Sequence, residues 1–271
     1  MSLLPDETVK MSKWRCRMRF VRHRFEKRRS DEGMDLLNLI FPPRCPLCGE
    51  ILTLEEGKVH RSCYEKLPWI REPRCRRCGK PIADAAGEFC LDCFRNRSDH
   101  GKSFDSGRAL WLYGGNIRKS VLDYKYQGMK SYTDFYAEEV VRNLGGWIRR
   151  KRPEALIPVP LHSRKKRMRG FNQAELLARA VGKRMGIPEN GRILYRNRWT
   201  EPQKGISGRE RRHNLAKSME IRQFPEDLRR VMLVDDIYTT GSTMEVCGQI
   251  LKEAGAEEVY FFTLCTGYGD G

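Results

Sequence analysis

Val231-Met232-Leu233-Val234-Asp235-Asp236-Ile237-Tyr238-Thr239-Thr240-Gly241-Ser242-Thr243 joins an apolar run to two adjacent acids, a hydroxyl-and-glycine turn and the start of a helical pattern. The apolar residues do not alternate with polar ones, so the run reads as a buried parallel strand. Open parallel sheets receive ligands beyond the carboxyl ends of their strands, which predicts a crevice at Asp235 and Asp236. The turn predicts an anion cup. Backbone N–H groups of residues 239–243 can curl round a phosphate, Gly241 lets the backbone approach closely, and the next helix presents its positive end. Carboxylates would repel that phosphate on contact. They suit a sugar whose phosphate lies further along, so the implied ligand is a ribose 5-phosphate. A P-loop reading fails, because no glycine-lysine-hydroxyl ending is present.

The stretch closely resembles the phosphoribosyl pyrophosphate (PRPP) motif of type I phosphoribosyltransferases. The resemblance implies that Asp235 and Asp236 form the catalytic pair on the ribose hydroxyls. It places Thr239, Thr240, Gly241, Ser242 and Thr243 on the 5-phosphate, with magnesium accompanying PRPP.

Outward from this stretch, strand and helix signals alternate. Residues 109–113 and 155–159 read as strands, the second cut short by Pro158 and Pro160, while 116–127 and 132–149 read as helices. Asn172 with Glu175 makes a capping-box-like start to a helix carrying Leu176, Leu177, Ala180, Val181 and Met185 on one face. Residues 192–195 read as a short strand. After the turn, Val246, Cys247, Ile250, Leu251 and Ala254 line a helix face that Gly255 closes, and 259–264 form a last buried strand. This alternation predicts an α/β fold over residues 104–271, an open parallel sheet with right-handed crossovers.

Residues 34–103 hold a different pattern: Cys45-x2-Cys48, His60-x2-Cys63, Cys75-x2-Cys78 and Cys90-x2-Cys93. Each pair can grip one side of a tetrahedral zinc, and four pairs make two sites. Sequential pairing and crossed pairing use the same ligands, and His60 reads either as a ligand or as a surface histidine. Gly49 and Gly79 follow two of the pairs, where a knuckle turn favours positive φ. A module this small builds little core, so the zincs are expected to be structural, each contributing roughly 10–16 kcal/mol of coupled binding and folding. Cys247 and Cys265 stand apart and read as small core residues.

The strand ending near Pro158 and His162 runs into Ser163-Arg164-Lys165-Lys166-Arg167-Met168-Arg169-Gly170-Phe171-Asn172-Gln173, a basic loop suited to a second anion. Residues 197–215 are polar, basic and poor in apolar anchors, the signature of a functional or mobile loop. Arg169-Gly170-Phe171-Asn172-Gln173 resembles a hallmark of the ComF family of competence proteins. So do Leu122-Asp123-Tyr124-Lys125-Tyr126-Gln127-Gly128 and Gln203-Lys204-Gly205-Ile206-Ser207 with Arg209, Arg211, Arg212, Asn214 and Leu215. Cysteine pairs ahead of a phosphoribosyltransferase-like domain complete the resemblance, which covers residues 34–266. It implies that His162, Arg164, Lys165 and Arg169 meet pyrophosphate, and that a closing loop brings Lys204, Arg209, Arg211 and Arg212 to it. It also implies single-stranded DNA and proteins of the DNA-uptake machinery as partners.

The 52 Lys and Arg against 35 Asp and Glu leave a net charge of +17, which argues for a polyanionic partner. Residues 1–33 form a basic tail, with ten Lys or Arg and the single acid Glu26 between Lys10 and Arg29, and Met34 reads as a possible natural start. The N-terminal residues lack the apolar stretch of a secretory signal and no run is long enough to span a bilayer, which predicts a cytoplasmic protein. Ten cysteines in that compartment point to metal rather than disulfides. Two functions fit. One is DNA handling in natural transformation, with Arg149-Arg150-Lys151-Arg152 and the 164–169 cluster along a phosphate backbone and Phe171, Tyr195 and Trp199 available to stack bases. The other is an active phosphoribosyltransferase that passes ribose 5-phosphate to a base acceptor, although no acceptor-binding hood is evident.

Overall fold

The computed structural model describes residues 42–53, 55–83, 86–96, 101–197 and 213–268. The basic tail, Met34, Trp199 and the closing-loop residues Lys204, Arg209, Arg211 and Arg212 lie outside them. The central element is a four-stranded parallel sheet of β1 (Ser106–Leu112), β2 (Ala155–Pro158), β5 (Arg230–Tyr238) and β6 (Glu258–Thr266), ordered β1-β6-β5-β2. Short helices α1 (Arg61–Tyr64) and α2 (Leu91–Arg95) precede the sheet, and α3 (Gly115–Tyr126) and α4 (Tyr132–Lys151) connect β1 to β2. Helices α5 (Ser163–Arg169) and α6 (Gln173–Met185) follow β2, and α7 (Ser242–Glu253) joins β5 to β6.

The apolar strands are buried on both faces because alternate residues feed two separate cores. Met232 and Val234 of β5 join Tyr260, Phe262 and Leu264 of β6 beneath α3, α4 and α6. Val231 and Leu233 join Val259 and Phe261 beneath α7. That is why β5 reads as an unbroken hydrophobic run. Cys247 and Cys265 are fully buried in these cores.

The cysteine module straddles the β1 edge. Cys45, Leu47 and Leu52 pack in the first core, whereas Cys75, Cys78, Cys90 and Cys93 pack in the second. Between them, residues 68–70 run along β1. Leu112 donates its N–H to Pro68 O (2.9 Å), Ile70 to Leu110 O (3.3 Å), and Trp69 bridges Trp111. Gly107 donates its N–H to Arg77 O at 2.7 Å. An exposed strand edge invites pairing with other chains, and the module covers this one.

Gly107 also shows how tightly the sheet is packed. A Cβ there would lie 2.1 Å from the Phe261 ring. Phe104, edge-on, and Tyr238, stacked, each with its centroid 4.9 Å from that of the ring, stop it from swinging clear. Gly107→Ala is therefore expected to cost roughly 1–3 kcal/mol through overpacking. Urea melts would check this, and an unchanged midpoint would refute the packing argument.

Three local expectations are corrected. The stretch after His162 is helix α5 rather than a loop; His162 caps it by accepting the Arg164 N–H at Nδ1 (3.1 Å). Asn172 caps α6 as expected, accepting the Ala174 N–H (3.1 Å), but the Glu175 carboxylate does not return to the cap. It is drawn to Lys166 (3.0 Å) and Arg179 (3.1 Å) instead, so only half of a capping box forms. The strand expected near 192–195 is β3 (Leu194–Arg196), which pairs antiparallel with β4 (Met219–Ile221) outside the main sheet.

Candidate ligand crevice and metal clusters

β5 outruns β2. Their last aligned pair is Pro158 with Val234, while β5 continues beside β6 as far as Tyr238 with Thr266. From Asp235 onward the β2 side of β5 is open, which creates a gap at the carboxyl edge of the sheet. The acids therefore lie within the strand, not past its end as the sequence suggested, because β6 is long enough to keep pairing them. The pleat sends them to opposite faces. Asp235, half-buried, lines a cavity of about 90 Å³ together with Ile237, Tyr238 and residues 239–244. Asp236, 8% exposed, forms an ion pair with Lys125 at the end of α3 (2.8 Å).

The electrostatics of the two acids differ accordingly. Burial and the Asp236 charge push the Asp235 carboxyl up to about 7. Burial opposes the Lys125 charge, but Asp236 and Asp235 together outweigh it and hold the ammonium above the ordinary lysine value. Lys165 is pushed down by burial and by Arg196, Arg169 and Lys125. Lys125 and Arg169 thus act on the acid pair, and Lys165 and Arg196 add to the same basic cluster. The sequence reading named Lys165 and Arg169 but gave no site role to Lys125 or Arg196. Lys125 was detectable only as part of a family hallmark, and Arg196 carried no local signal.

The turn is built as an anion cup requires. Residues 239–241 form the bend, and Gly241, with φ 84°, is the N-cap of α7. A Cβ on Gly241 would meet the Tyr238 hydroxyl at 2.5 Å, so both conformation and space demand glycine. No side chain caps α7, which leaves its first-turn N–H groups to the cavity. Thr240 and Ser242 hydroxyls lie 3.1 Å apart; Thr239 and Thr240 are exposed, Ser242 is buried and Thr243 is half-buried.

The second cysteine cluster stands behind this turn. Tyr238 packs edge-on against Phe104 (6.3 Å) and stacks on Phe261. The buried Arg77 lies 4.2 Å above the Phe104 ring and 4.0 Å from Glu245 in the first turn of α7, while Lys80 lies 5.6 Å above the Tyr238 ring. Neither basic residue was singled out from sequence.

The cysteine pairs converge sequentially. Cys45, Cys48, His60 and Cys63 form one group and Cys75, Cys78, Cys90 and Cys93 the other, with ligand atoms within 4.8 Å of one another. Cys78 and Cys90 sulfurs are 3.6 Å apart, and Cys48 Sγ is 3.2 Å from His60 Nδ1. A tetrahedron with Zn–S bonds of about 2.3 Å has edges of about 3.8 Å, so both donor sets fit zinc. His60 turns its Nε2 to Ile51 O (3.3 Å) and to Glu56 (3.4 Å), an arrangement that orients a ligating imidazole. Gly49 and Gly79 have φ of 85° and 75°, as knuckle turns need.

Phe171 is not a base-stacking surface. It is buried against Tyr124 (5.9 Å) with Lys130 over its ring (5.2 Å). Tyr195 is half-buried under Arg222, 4.1 Å from its centroid.

Comparison with known proteins bears on both halves of the chain. A family description for a double zinc ribbon domain matches residues 36–94, and one for a phosphoribosyl transferase domain matches residues 184–270. Competence protein F of Haemophilus influenzae is 29% identical over 228 residues, covering 82% of this chain and 96% of the relative. Competence protein ComFC of Bacillus subtilis is 26% identical over 219 residues, covering 77% and 84%. DNA utilization protein YhgH of Escherichia coli O157:H7 is 35% identical over 113 residues, covering 42% and 49%.

Proposed function

The chain belongs to the ComF family, a zinc module joined to a type I phosphoribosyltransferase-like domain, and from that premise we propose that it handles single-stranded DNA in the cytoplasm during DNA uptake and binds PRPP with magnesium. One observation carries the ligand half: Asp235 shares a cavity with the glycine-capped turn. In this reading Asp235 accepts hydrogen bonds from the ribose, and residues 239–243 hold the 5-phosphate. Lys125 pairs with Asp236 beside the sugar, and Lys165, Arg169 and Arg196 face the pyrophosphate with His162 and Arg164 nearby. Magnesium would supply further charge neutralisation on the diphosphate. Zinc holds the two cysteine clusters and is structural, since full ligand sets leave no open position.

The DNA half rests on charge and on the relatives. Arg149, Arg150, Lys151 and Arg152 close α4, and none of them pairs with a carboxylate among the described residues. Among the described residues no helix is long and apolar enough to cross a membrane.

Calorimetric titration with PRPP and magnesium, with and without single-stranded DNA, tests both halves. Binding is expected in wild type and is lost in the Asp235→Asn, Asp236→Asn double variant. No PRPP binding under either condition would remove the ligand half. Log affinity for DNA should fall with log salt by roughly 0.7 per phosphate contacted, and a flat response would remove the DNA half. The cations facing the acids also favour a second reading, turnover with pyrophosphate leaving. PRPP-dependent release of pyrophosphate in the presence of a base would establish it.

A further inference from the structure

We propose that Tyr126 is a stacking platform for a nucleobase at the mouth of the crevice, a role that rests on the DNA and PRPP reading above. The Lys125–Asp236 ion pair pins the last turn of α3 to the acid pair. The next residue, Tyr126, is left on the rim with 63% of its surface exposed, and among the described aromatic residues only Tyr268 is more exposed. It belongs to neither core. Tyrosine rings usually bury their apolar body, so an exposed one needs a reason.

The ring is nevertheless held in place. Arg169 donates from Nη2 to the Tyr126 hydroxyl (3.1 Å), and its guanidinium sits 4.8 Å from the ring centroid. Arg169 also donates from Nη1 to Gln173 Oε1 (3.1 Å), and Gln173 Nε2 donates to Lys125 O (3.3 Å). The end of α3, the end of α5 and the start of α6 are thereby tied around one exposed aromatic ring. Its rotamer entropy is already spent, which favours binding a flat partner. Through Gln173 this network reaches Lys125, whose ammonium holds Asp236, so the ring stands beside the acid pair.

A flat, oriented aromatic surface backed by a cation, beside acids suited to ribose hydroxyls, matches a base carried on a sugar or about to join one. Stacking of this kind accepts any base, because every base has a π-face. The base can come from a free acceptor or from a single strand.

Full-length, zinc-loaded protein separates the sources by titration with three probes: oligodeoxythymidylate, an abasic oligonucleotide of equal length and charge, and free adenine in the presence of PRPP. Wild type is expected to prefer the base-bearing strand over the abasic one by about five- to a hundredfold, the range of single base–aromatic stacks. Tyr126→Ala should bring the first down to the second, with melting temperature and zinc content unchanged. Tyr126→Phe keeps the ring without the hydroxyl and should retain most of the preference. A loss confined to adenine assigns the platform to a free acceptor, and a loss confined to the strand assigns it to DNA. If wild type binds both oligonucleotides equally and does not bind adenine, the platform is overturned while DNA handling stands. Identical affinities for Tyr126→Ala and wild type on every probe overturn it too, and wild type that binds no probe removes both.

Discussion

Cys78→Ser is expected to lower the melting temperature of the whole chain by more than about 10 °C and to reduce bound zinc from two to one. A structural zinc site contributes roughly 10–16 kcal/mol of coupled binding and folding, against a typical net stability of about 5–15 kcal/mol for a domain. Each kcal/mol corresponds to about 2–4 °C in a chain of this size class. The effect should not stay in the module. Cys75, Cys78, Cys90 and Cys93 are buried in the same core as Phe104, Tyr238 and Phe261, and Tyr238 carries the turn that ends at Gly241. Losing the cluster removes the support behind the anion cup, so PRPP affinity should fall with stability. Cys48→Ser, in the more exposed first cluster, should be milder and leave the turn intact. Zinc release read with a colorimetric chelator, alongside thermal melts, checks both variants. A Cys78→Ser protein with two zincs and a wild-type melt would sink the argument.

The acid pair should respond asymmetrically. Asp235→Asn is expected to stabilise the fold above pH 7 by on the order of 2 kcal/mol while removing PRPP binding. Burial and Asp236 raise the Asp235 pKa from 3.8 to about 7. A carboxyl whose folded pKa exceeds its unfolded value favours the fold below the unfolded value. That contribution disappears as pH rises through the folded value, here between about 4 and 7. Asparagine removes the half-buried charge yet keeps an oxygen for the Asp236 N–H, which Asp235 Oδ1 accepts at 2.8 Å. Its stabilising effect should therefore grow across that pH window and vanish below it.

Asp236→Asn should do the opposite. It leaves Lys125 in the crevice without its 2.8 Å partner, and breaking such a pair costs about 3–5 kcal/mol when the remaining charge is buried. Lys125 keeps some solvent and the Asp235 charge, so a loss of about 2 kcal/mol is the expected outcome. Chemical denaturation of both variants at pH 5 and pH 8 measures the contrast; equal shifts of the same sign would refute it. An acid that destabilises its own fold is the usual compromise of a site built for something other than stability.

Much of this molecule is legible in its amino-acid sequence. The parallel β5 strand, the turn at Gly241 and the α7 face carrying Val246, Cys247 and Leu251 follow from local pattern, because burial on both faces and a helix start each leave a short-range mark. The cysteine pairs named their own ligands for the same reason. The stretch after His162 misled because cations at helical spacing carry no apolar stripe, so α5 looked like a loop. Phe171 misled because aromatics flanked by basic residues look alike whether buried or exposed.

The amino-acid order alone thus determined the strands and helices that carry an apolar pattern, the seven cysteines of the metal clusters, and where an anion cup could open. Those features depend on neighbours a few residues apart. Only the tertiary structure decided that the clusters are sequential and lie against opposite faces of the sheet, that Lys125 meets Asp236 across 111 positions of chain, and that Arg77 and Tyr238 connect the second cluster to the turn. These contacts join distant segments, and the pairing of β1 with β6 and of β5 with β2 brings them together.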